Sequence, residues 1–198
     1  MDLYTIVFVD VHPKWIKTFK KVYGNFVKTH KFKFNIECVE SNIKTVRSNY
    51  FQNEKLVGYV SPANSYGYMD GGIDKIYVQM FPNIQHKVRN VIQNLPNPNY
   101  HVVGNTQNKI LPVGHAIKVK ANDSSFLIAA PTMLYPMDVS DTQNAYKATK
   151  AVLKCIRDEN LEISVLFLPG MATGVGNMDL GEAMNQMLNA IKDFEETL

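Results

Sequence analysis

Two loops of the chain combine glycines and polar side chains in a pattern suited to anion binding. The first, residues 61–74, reads SPANSYGYMDGGID and follows an apolar segment. Its paired glycines, Gly71 and Gly72, directly precede a predicted helix. Backbone N–H groups that are not shielded by a Cβ atom can approach an anion there, and the helix dipole stabilises negative charge. Asn64 and Asp74 lie ten positions apart in this loop, and a carboxylate so placed can position or activate a water molecule.

The second loop, residues 169–177, reads PGMATGVGN and also precedes a predicted helix. Two such loops can hold the two phosphates of a diphosphate from opposite sides, although each composition alone is also common in ordinary turns. The sequence contains neither GxGxxG after a first strand nor GxxxxGK[ST]. These absences disfavour a classical dinucleotide fold and a P-loop. The GxSxG and HExxH motifs of two hydrolase classes are missing as well.

Apolar and amphipathic segments alternate along the chain and predict the elements that position these loops. The predicted strands cover residues 4–10, 34–39, 56–60, 111–119, 126–130 and 163–168. Five helices are predicted. The first begins at Pro13, the second follows Gly72 and is stopped by Pro82, the third covers residues 84–95, the fourth begins at an Asp141 cap, and the fifth covers residues 180–194. This alternation predicts an α/β fold with a largely parallel sheet covered on both faces. Ligands of such folds bind beyond the carboxyl ends of the strands, where both loops lie.

Length and composition predict one globular domain. The chain has 198 residues, of which 45% are hydrophobic and 20% charged. Cys38 and Cys155 lack metal-ligand spacing and are interpreted as reduced thiols, so no metal is predicted. A net charge of +3 can favour a small anion but is too low to indicate nucleic acid. With neither a membrane-length apolar stretch nor a signal-peptide pattern, the protein is predicted to be intracellular.

Five segments, taken in order, resemble the macro domain family. Residues 60–64, VSPAN, are similar to the family's V-N-A-A-N signature, and residues 70–74, DGGID, to the glycine run that follows it. Residues 111–116 and 126–131 resemble its middle section, and residues 172–175, ATGV, resemble the S-T-G-V of its second phosphate loop. The resemblance implies a three-layer α/β/α fold with a mixed, mostly parallel sheet. Such ordered co-occurrence is more specific than any single motif.

The resemblance also implies an ADP-ribose site. Asn64 would contact the distal ribose, and the backbones of the two loops would hold the diphosphate. The adenine-reading Gly-Asp-Ile of the family stands here as Ser41-Asn42-Ile43, so an amide oxygen would accept from adenine without charge assistance. The ligand-binding residues implied are Val11, His12, Asn42, Ile43, Ala63, Asn64, Gly71, Gly72, Ile73, Thr173, Gly174, Val175 and Gly176. The partner implied is ADP-ribose or an ADP-ribosylated protein, bound by a monomer without a cofactor.

One departure from the family is topological. Macro domains normally end in a strand and a helix after the helix of the second loop, and this chain ends at Leu198. The strand at residues 5–10 and the helix that carries Trp15 and Phe19 resemble that last unit, placed at the N-terminus instead. We expect a circular permutation, in which the segment Asp10–His12 borders the adenine pocket. The alternative is an ordinary N-terminal strand–helix unit that is unrelated to the ligand.

Three functional hypotheses remain open at the level of sequence. The first is a mono-ADP-ribosyl hydrolase, because Asn64 and Asp74 match the separation found in MacroD-type hydrolases. The second is a non-catalytic ADP-ribose reader, because the four-glycine run of those hydrolases is reduced to two and Gly176 replaces an aromatic residue. In that case Asp74 would stabilise a helix N-terminus and Asn64 a turn. The third is a nucleotide- or RNA-binding module that uses the same cleft.

Overall fold

The computed structural model describes residues 4–50 and 56–198. Within these residues the chain forms eight strands: β1 (Thr5–Asp10), β2 (Asn35–Glu40), β3 (Leu56–Ser61), β4 (Asn99–Val103), β5 (Thr106–Ile110), β6 (Ile117–Asn122), β7 (Ser125–Ala129) and β8 (Ile163–Leu168). It also forms six helices: α1 (Pro13–Phe26), α2 (Ile43–Tyr50), α3 (Gly72–Met80), α4 (Ile84–Gln93), α5 (Asn144–Asp158) and α6 (Leu180–Glu195).

Six of the strands form one mixed sheet in the order β2-β1-β8-β3-β7-β6. β1 runs parallel to both β2 and β8, and β3 runs parallel to both β7 and β8. The only antiparallel pair among these six strands is that of β7 with β6, which lies at the edge of the sheet. The carboxyl ends of β1, β2, β3, β7 and β8 therefore meet at the same edge of the sheet, and the prediction of a largely parallel sheet is confirmed.

Helices cover both faces of this sheet. In β1 the side chains of Ile6 and Phe8 pack into one hydrophobic core, and those of Val7 and Val9 pack into the other. The first core is completed by α1, α5 and α6, and the second by α2, α3 and α4. Alternate residues of a strand point to opposite faces of a sheet, so a strand buried on both sides must be apolar throughout. No helix in the described ranges is long and apolar enough to span a bilayer.

The strand predicted at residues 111–119 is wrong in its first half. The structure places residues 111–116 outside the strands and begins β6 at Ile117. Pro112 has no N–H to donate to a ladder, and Gly114 adopts a φ of 90°, so neither suits the interior of a strand. The helical cap predicted at Asp141 is also wrong. Gln143 occupies the N-cap of α5, and its side chain makes no capping hydrogen bond.

Two features had no counterpart in the sequence-based prediction. The first is α2, which begins directly after Asn42. The second is the β4–β5 hairpin, which forms a separate two-stranded sheet closed at Gly104, where φ is 59°. α2 contributes its first residue to the large cleft at the carboxyl-end edge of the sheet, and the hairpin shapes a second pocket beside it.

Candidate ligand-binding cleft

A cleft of about 670 Å³ opens at the carboxyl ends of β1, β3 and β8. Every residue predicted for the site lies in its lining: Val11, His12, Asn42, Ile43, Ala63, Asn64, Gly71, Gly72, Ile73, Asp74, Thr173, Gly174, Val175 and Gly176. Its volume lies within the usual range of small-molecule sites. The structure therefore brings together four segments that are far apart in the chain.

The first glycine loop presents unshielded backbone to the cleft. Gly71 is the N-cap of α3 in an extended conformation (φ −133°, ψ 162°) and makes no side-chain capping bond. Gly72 follows in the left-handed region with a φ of 52°, which favours glycine. A Cβ atom built on either residue would meet no other atom within 4 Å. The start of α3 thus offers backbone N–H groups and the positive end of a helix dipole to a ligand.

The second loop has a different construction. A Cβ on Gly170 would lie 2.5 Å from Thr173 Oγ1 and 2.6 Å from Trp15 Nε1, so Gly170 is required by packing. A Cβ on Gly176 would lie 2.6 Å from the carbonyl oxygen of Ala172. By contrast, Gly174 has open space around its Cβ position, as Gly71 does. Gly174 is therefore the position in this loop where backbone can be approached closely.

The helix after the second loop does not present a free N-terminus. Asp179 is the N-cap of α6, and its Oδ1 accepts hydrogen bonds from the backbone N–H groups of Gly181 and Glu182. These are two of the donors that an uncapped helix would leave for an anion. Any anion held by this loop is therefore bound by the loop backbone. The two glycine loops therefore offer different donors to an anion. Only the first is followed by a helix, α3, whose N-terminus has no side-chain cap.

Asp74 lies in the first turn of α3 and is buried, with 7% of its surface exposed. Its Oδ1 accepts a hydrogen bond of 2.6 Å from the hydroxyl of Ser61, at the end of β3. Burial raises the pKa of this carboxyl from 3.8 to about 7; the Ser61 hydrogen bond opposes the shift, and the nearby charge of Asp70 adds to it. A carboxyl with a pKa near neutrality can exchange a proton at the floor of the cleft.

The side chain of Asn64 shapes its own loop. Its Oδ1 accepts from the backbone N–H of Tyr66 at 3.0 Å, and its Nδ2 donates to the carbonyl of Tyr68 at 3.1 Å. Asn64 also forms an isolated parallel bridge with Met133, which follows β7. These contacts fix the loop against the neighbouring strand end. The turn-stabilising interpretation of Asn64 therefore describes its contacts in this structure.

At the opposite end of the cleft, Asn42 and His12 are held by local hydrogen bonds. Asn42 Oδ1 accepts from the N–H of Lys44 at 2.9 Å, so the amide oxygen predicted to accept from adenine already caps α2. A carbonyl oxygen has a second lone pair, which leaves one acceptor position for a ligand. The N–H of His12 donates to Asp10 Oδ1 at 2.8 Å. Val11 projects outward with 52% of its surface exposed.

Several residues of the cleft were not predicted from the sequence. They are Trp15, Tyr68, Asp70, Thr132, Met133 and Pro136. Asp10, which also lines the cleft, belongs to the segment that the sequence placed beside the adenine pocket. Thr132 and Met133 follow β7, and only the sheet order places that strand end beside the first glycine loop. Across the described residues, no group of three His, Cys, Asp or Glu side chains is arranged to hold a metal ion.

Comparison with known proteins identifies the class that this fold and cleft define. The sequence model of the family described as Macro domain matches residues 60–187, which is more than half of the chain. An uncharacterized protein of Aquifex aeolicus is 30% identical over 156 residues, a match that covers 78% of this chain and 83% of that protein. The chain therefore belongs to the macro domain family.

Solved structures agree with this assignment at the level of fold. The macrodomain of Mycobacterium tuberculosis DarG superposes with a TM-score of 0.54 at 16% identity, covering 72% of this chain and 84% of that one. A macrodomain of Oceanobacillus iheyensis with MES bound gives 0.55 at 19% identity and covers 72% of each chain. A single-site mutant of the latter, solved with ADPR, gives 0.54 at 19% identity over 69% of each chain. The predicted α/β macro domain fold is confirmed, and the circular permutation stays a prediction.

Proposed function

We propose that the protein binds ADP-ribose in the cleft, with the diphosphate held between the two glycine loops. The observation that carries the proposal concerns Gly71 and Gly174. Both have open space at the Cβ position, and their loops line the same cleft. Peptide N–H groups without an adjacent Cβ, together with the uncapped start of α3, suit two neighbouring negative charges. The Oceanobacillus iheyensis macrodomain mutant was solved with ADPR, and this supports the choice of ligand.

The remaining parts of the ligand are assigned by the order of segments along the cleft. Asn42 and Ile43, with Val11 and His12 beside them, form the end proposed for adenine. Both Ile43, which is buried, and Val11, which is exposed, line the cleft at this end. Their apolar side chains can therefore pack against a flat ring. Ala63 and Asn64 form the end proposed for the distal ribose.

Calorimetric titration tests this proposal. We expect ADP-ribose to give saturable heat with one site per chain. AMP should bind at least tenfold more weakly, because it lacks the second phosphate and the distal ribose that the first loop would contact. Equal affinity for AMP and ADP-ribose would contradict the proposed use of both loops, and an absence of heat with either ligand would contradict the site itself.

Hydrolysis of mono-ADP-ribose linkages is the second candidate function. The observation that favours it is the Asp74 carboxyl, which lines the same cleft as Asn64 and has a pKa raised to about 7. Ionised Asp74 would take a proton from a water molecule whose oxygen bonds to the anomeric carbon of the distal ribose. The bond from that carbon to the acceptor breaks, and the acceptor leaves with a proton. Much of the rate would come from holding the water and the substrate in place.

One observation favours a purely structural role for Asp74. Its side chain is buried and accepts a hydrogen bond from Ser61, as a carboxylate that only stabilises the fold would. Asp74→Asn separates the two roles, because the amide still accepts from Ser61 but cannot take a proton. For a hydrolase, we expect the wild-type rate to rise with pH through about 7 and the variant to lose that rate while ADP-ribose affinity changes less than twofold. An unchanged rate in the variant would remove Asp74 from the reaction. A wild-type protein that binds ADP-ribose but releases no product would be a reader.

A further inference from the structure

Trp15, in the first turn of α1, carries a buried polar atom that the fold leaves without a partner. The residue is 1% exposed, and its indole nitrogen, Nε1, makes no hydrogen bond within the described part of the chain. Leaving a buried donor unpaired is costly, so native structures contain few such groups. Because Trp15 also belongs to the lining of the cleft, its N–H is a donor that the ligand site can use.

Neighbouring aromatic rings hold the indole in place. The Trp15 ring stacks on that of Phe19, with 6.2 Å between the ring centres, and the centre of the Phe8 ring lies 6.1 Å away. Phe8 belongs to β1 and Phe19 to the next turn of α1, and both are buried. This packing opposes rotation of the indole, so an acceptor for its N–H must come to it.

Thr173 of the second glycine loop carries an oxygen beside this N–H. A Cβ atom on Gly170 would lie 2.6 Å from Trp15 Nε1 and 2.5 Å from Thr173 Oγ1, so the two polar atoms lie on the same side of Gly170. The Thr173 hydroxyl donates to the carbonyl oxygen of Gly170 at 3.3 Å, which is long for an O–H···O bond. A hydroxyl donates one hydrogen bond and accepts two. Thr173 can therefore accept from Trp15 while it donates to a ligand.

The sheet order shows which part of the ligand this pair lies beside. β1, which leads into α1, lies between β2 and β8. The end of the cleft proposed for adenine follows β2, and the second glycine loop follows β8. Under the proposed function, on which this inference rests, Trp15 and Thr173 therefore lie beside the phosphate on the adenosine side of the diphosphate.

We propose that Trp15 is a positioning residue for the diphosphate and acts through Thr173. In the complex, the Thr173 hydroxyl donates to an oxygen of the adenosine-side phosphate instead of to the Gly170 carbonyl. Thr173 Oγ1 then accepts the indole N–H of Trp15. The exchange replaces a long neutral hydrogen bond with a charge-assisted one and gives the buried donor a partner. The indole N–H also polarises the hydroxyl, which strengthens the bond to phosphate.

The indole N–H resonance of the wild-type protein tests this proposal, because Trp15 is the single tryptophan of the chain. We expect saturating ADP-ribose to move this resonance downfield, as formation of a hydrogen bond does, and to slow its exchange with solvent. In Thr173→Val, which lacks the hydroxyl, saturating ADP-ribose should leave the resonance close to its position in the free variant. An unmoved resonance in wild-type protein bound to ADP-ribose overturns the proposal, and so does an equal movement in the variant.

Calorimetry with ADP-ribose measures whether the two residues act together. Trp15→Phe keeps an aromatic ring and removes the donor, and we expect it to weaken binding about fivefold. Thr173→Val should weaken binding about tenfold. The double variant should bind within twofold of Thr173→Val, because Trp15 acts through the hydroxyl. Wild-type affinity in Trp15→Phe, or losses that multiply in the double variant, would overturn the relay.

Tyr4→Phe is the matched control. The Tyr4 hydroxyl is also buried without a hydrogen-bond partner among the described residues, but Tyr4 lies outside the lining of the cleft. Its removal should leave ADP-ribose affinity within twofold of wild type, and a loss equal to that of Trp15→Phe would overturn the specific role of Trp15. If wild-type protein does not bind ADP-ribose at all, the proposed function and this inference fail together.

Discussion

Single side chains set the charge inside the cleft, and Asp74 is the main example. Its burial could not be predicted from the sequence. The spacing of Asn64 and Asp74 predicted that both would line one cleft. It did not reveal that Asp74 would be buried against Ser61, because that contact depends on how α3 docks on β3. The turn bonds of Asn64 were predictable as an alternative, since asparagine often bonds its own loop backbone. The spacing of two residues along the chain can therefore indicate that both line one site. It does not indicate whether their side chains are buried.

The raised pKa of Asp74 makes the stability of the protein depend on pH. Below pH 4 the carboxyl is protonated in both folded and unfolded protein. Between pH 4 and 7 the unfolded chain loses this proton while the folded protein keeps it, so stability falls as pH rises and levels off above the folded pKa of about 7. A shift of about three units corresponds to at most about 4 kcal/mol. Asp74→Asn should abolish this decline, because the amide does not titrate.

Urea unfolding between pH 4 and 8 measures this effect. The free energy of unfolding of Asp74→Asn, relative to wild type, should increase from pH 4 to 7 and stay constant above. Asp141→Asn, at an exposed position, is the matched control and should follow the wild-type curve. Parallel curves for wild type and Asp74→Asn would show that burial does not hold the proton on this carboxyl.

At the scale of elements, the sequence predicted the buried strands and missed the exposed ones. β3 and β8 are continuous apolar runs, which is the pattern of strands covered on both faces. The hairpin strands have five residues each; β4 is mostly exposed and β5 is mostly polar, so neither carries the apolar run of a buried strand. The second pocket beside the cleft was unpredictable for the same reason, because two of its lining residues, Arg89 and Lys109, lie on α4 and on this hairpin.

A buried carboxylate anchors the C-terminal end of α6. Glu195 is buried, and its Oε1 accepts from the backbone N–H groups of Lys33 and Phe34, each at 2.8 Å. Its Oε2 lies 3.1 Å from His30 Nε2. These hydrogen bonds hold the segment between α1 and β2 against α6. Glu195→Ala would leave the buried N–H of Phe34 and the partly buried N–H of Lys33 without this acceptor, and we expect it to lower the free energy of unfolding by about 2–4 kcal/mol.

The control for this prediction is the next residue in the chain. Glu196 is exposed, so Glu196→Ala removes the same charge from the same helix end without removing the buried bonds. Its unfolding midpoint in urea should lie close to that of wild type. If the two variants lose the same stability, the net charge at this helix end matters and the buried hydrogen bonds do not.

At the scale of the whole molecule, the distinctive feature is how the chain is connected around its sheet. β1 lies between β2 and β8 and runs parallel to both, and this order supports the proposal that the N-terminal strand and helix are the family's last unit moved forward. Tyr4, before β1, and Phe194, near the end of α6, both have their rings against Phe34. The beginning of β1 and the end of α6 are therefore close in space, as circular permutation requires.

A rearranged chain tests that proposal. We expect a protein consisting of residues 29–198, a short Gly/Ser linker and residues 1–28 to fold and to keep the ligand affinity of wild type within about threefold, because the new ends at Lys28 and Thr29 are exposed and no described strand is cut. Thermal unfolding and calorimetry would measure this. A permuted chain that fails to fold would show that the present connection between α1 and β2 is essential.

The proposed diphosphate site depends on Gly71 and Gly174, which leave the backbone of the two loops open to the ligand, and the ligand affinity of one alanine variant measures this dependence. A Cβ on Gly174 would meet no other atom within 4 Å, and neither would a Cβ on Gly24 in α1, outside the lining of the cleft. Both alanine variants should therefore fold normally. We predict that Gly174→Ala weakens ADP-ribose binding at least tenfold in calorimetry, whereas Gly24→Ala binds as wild type does. Undiminished affinity in Gly174→Ala would contradict the proposed diphosphate site.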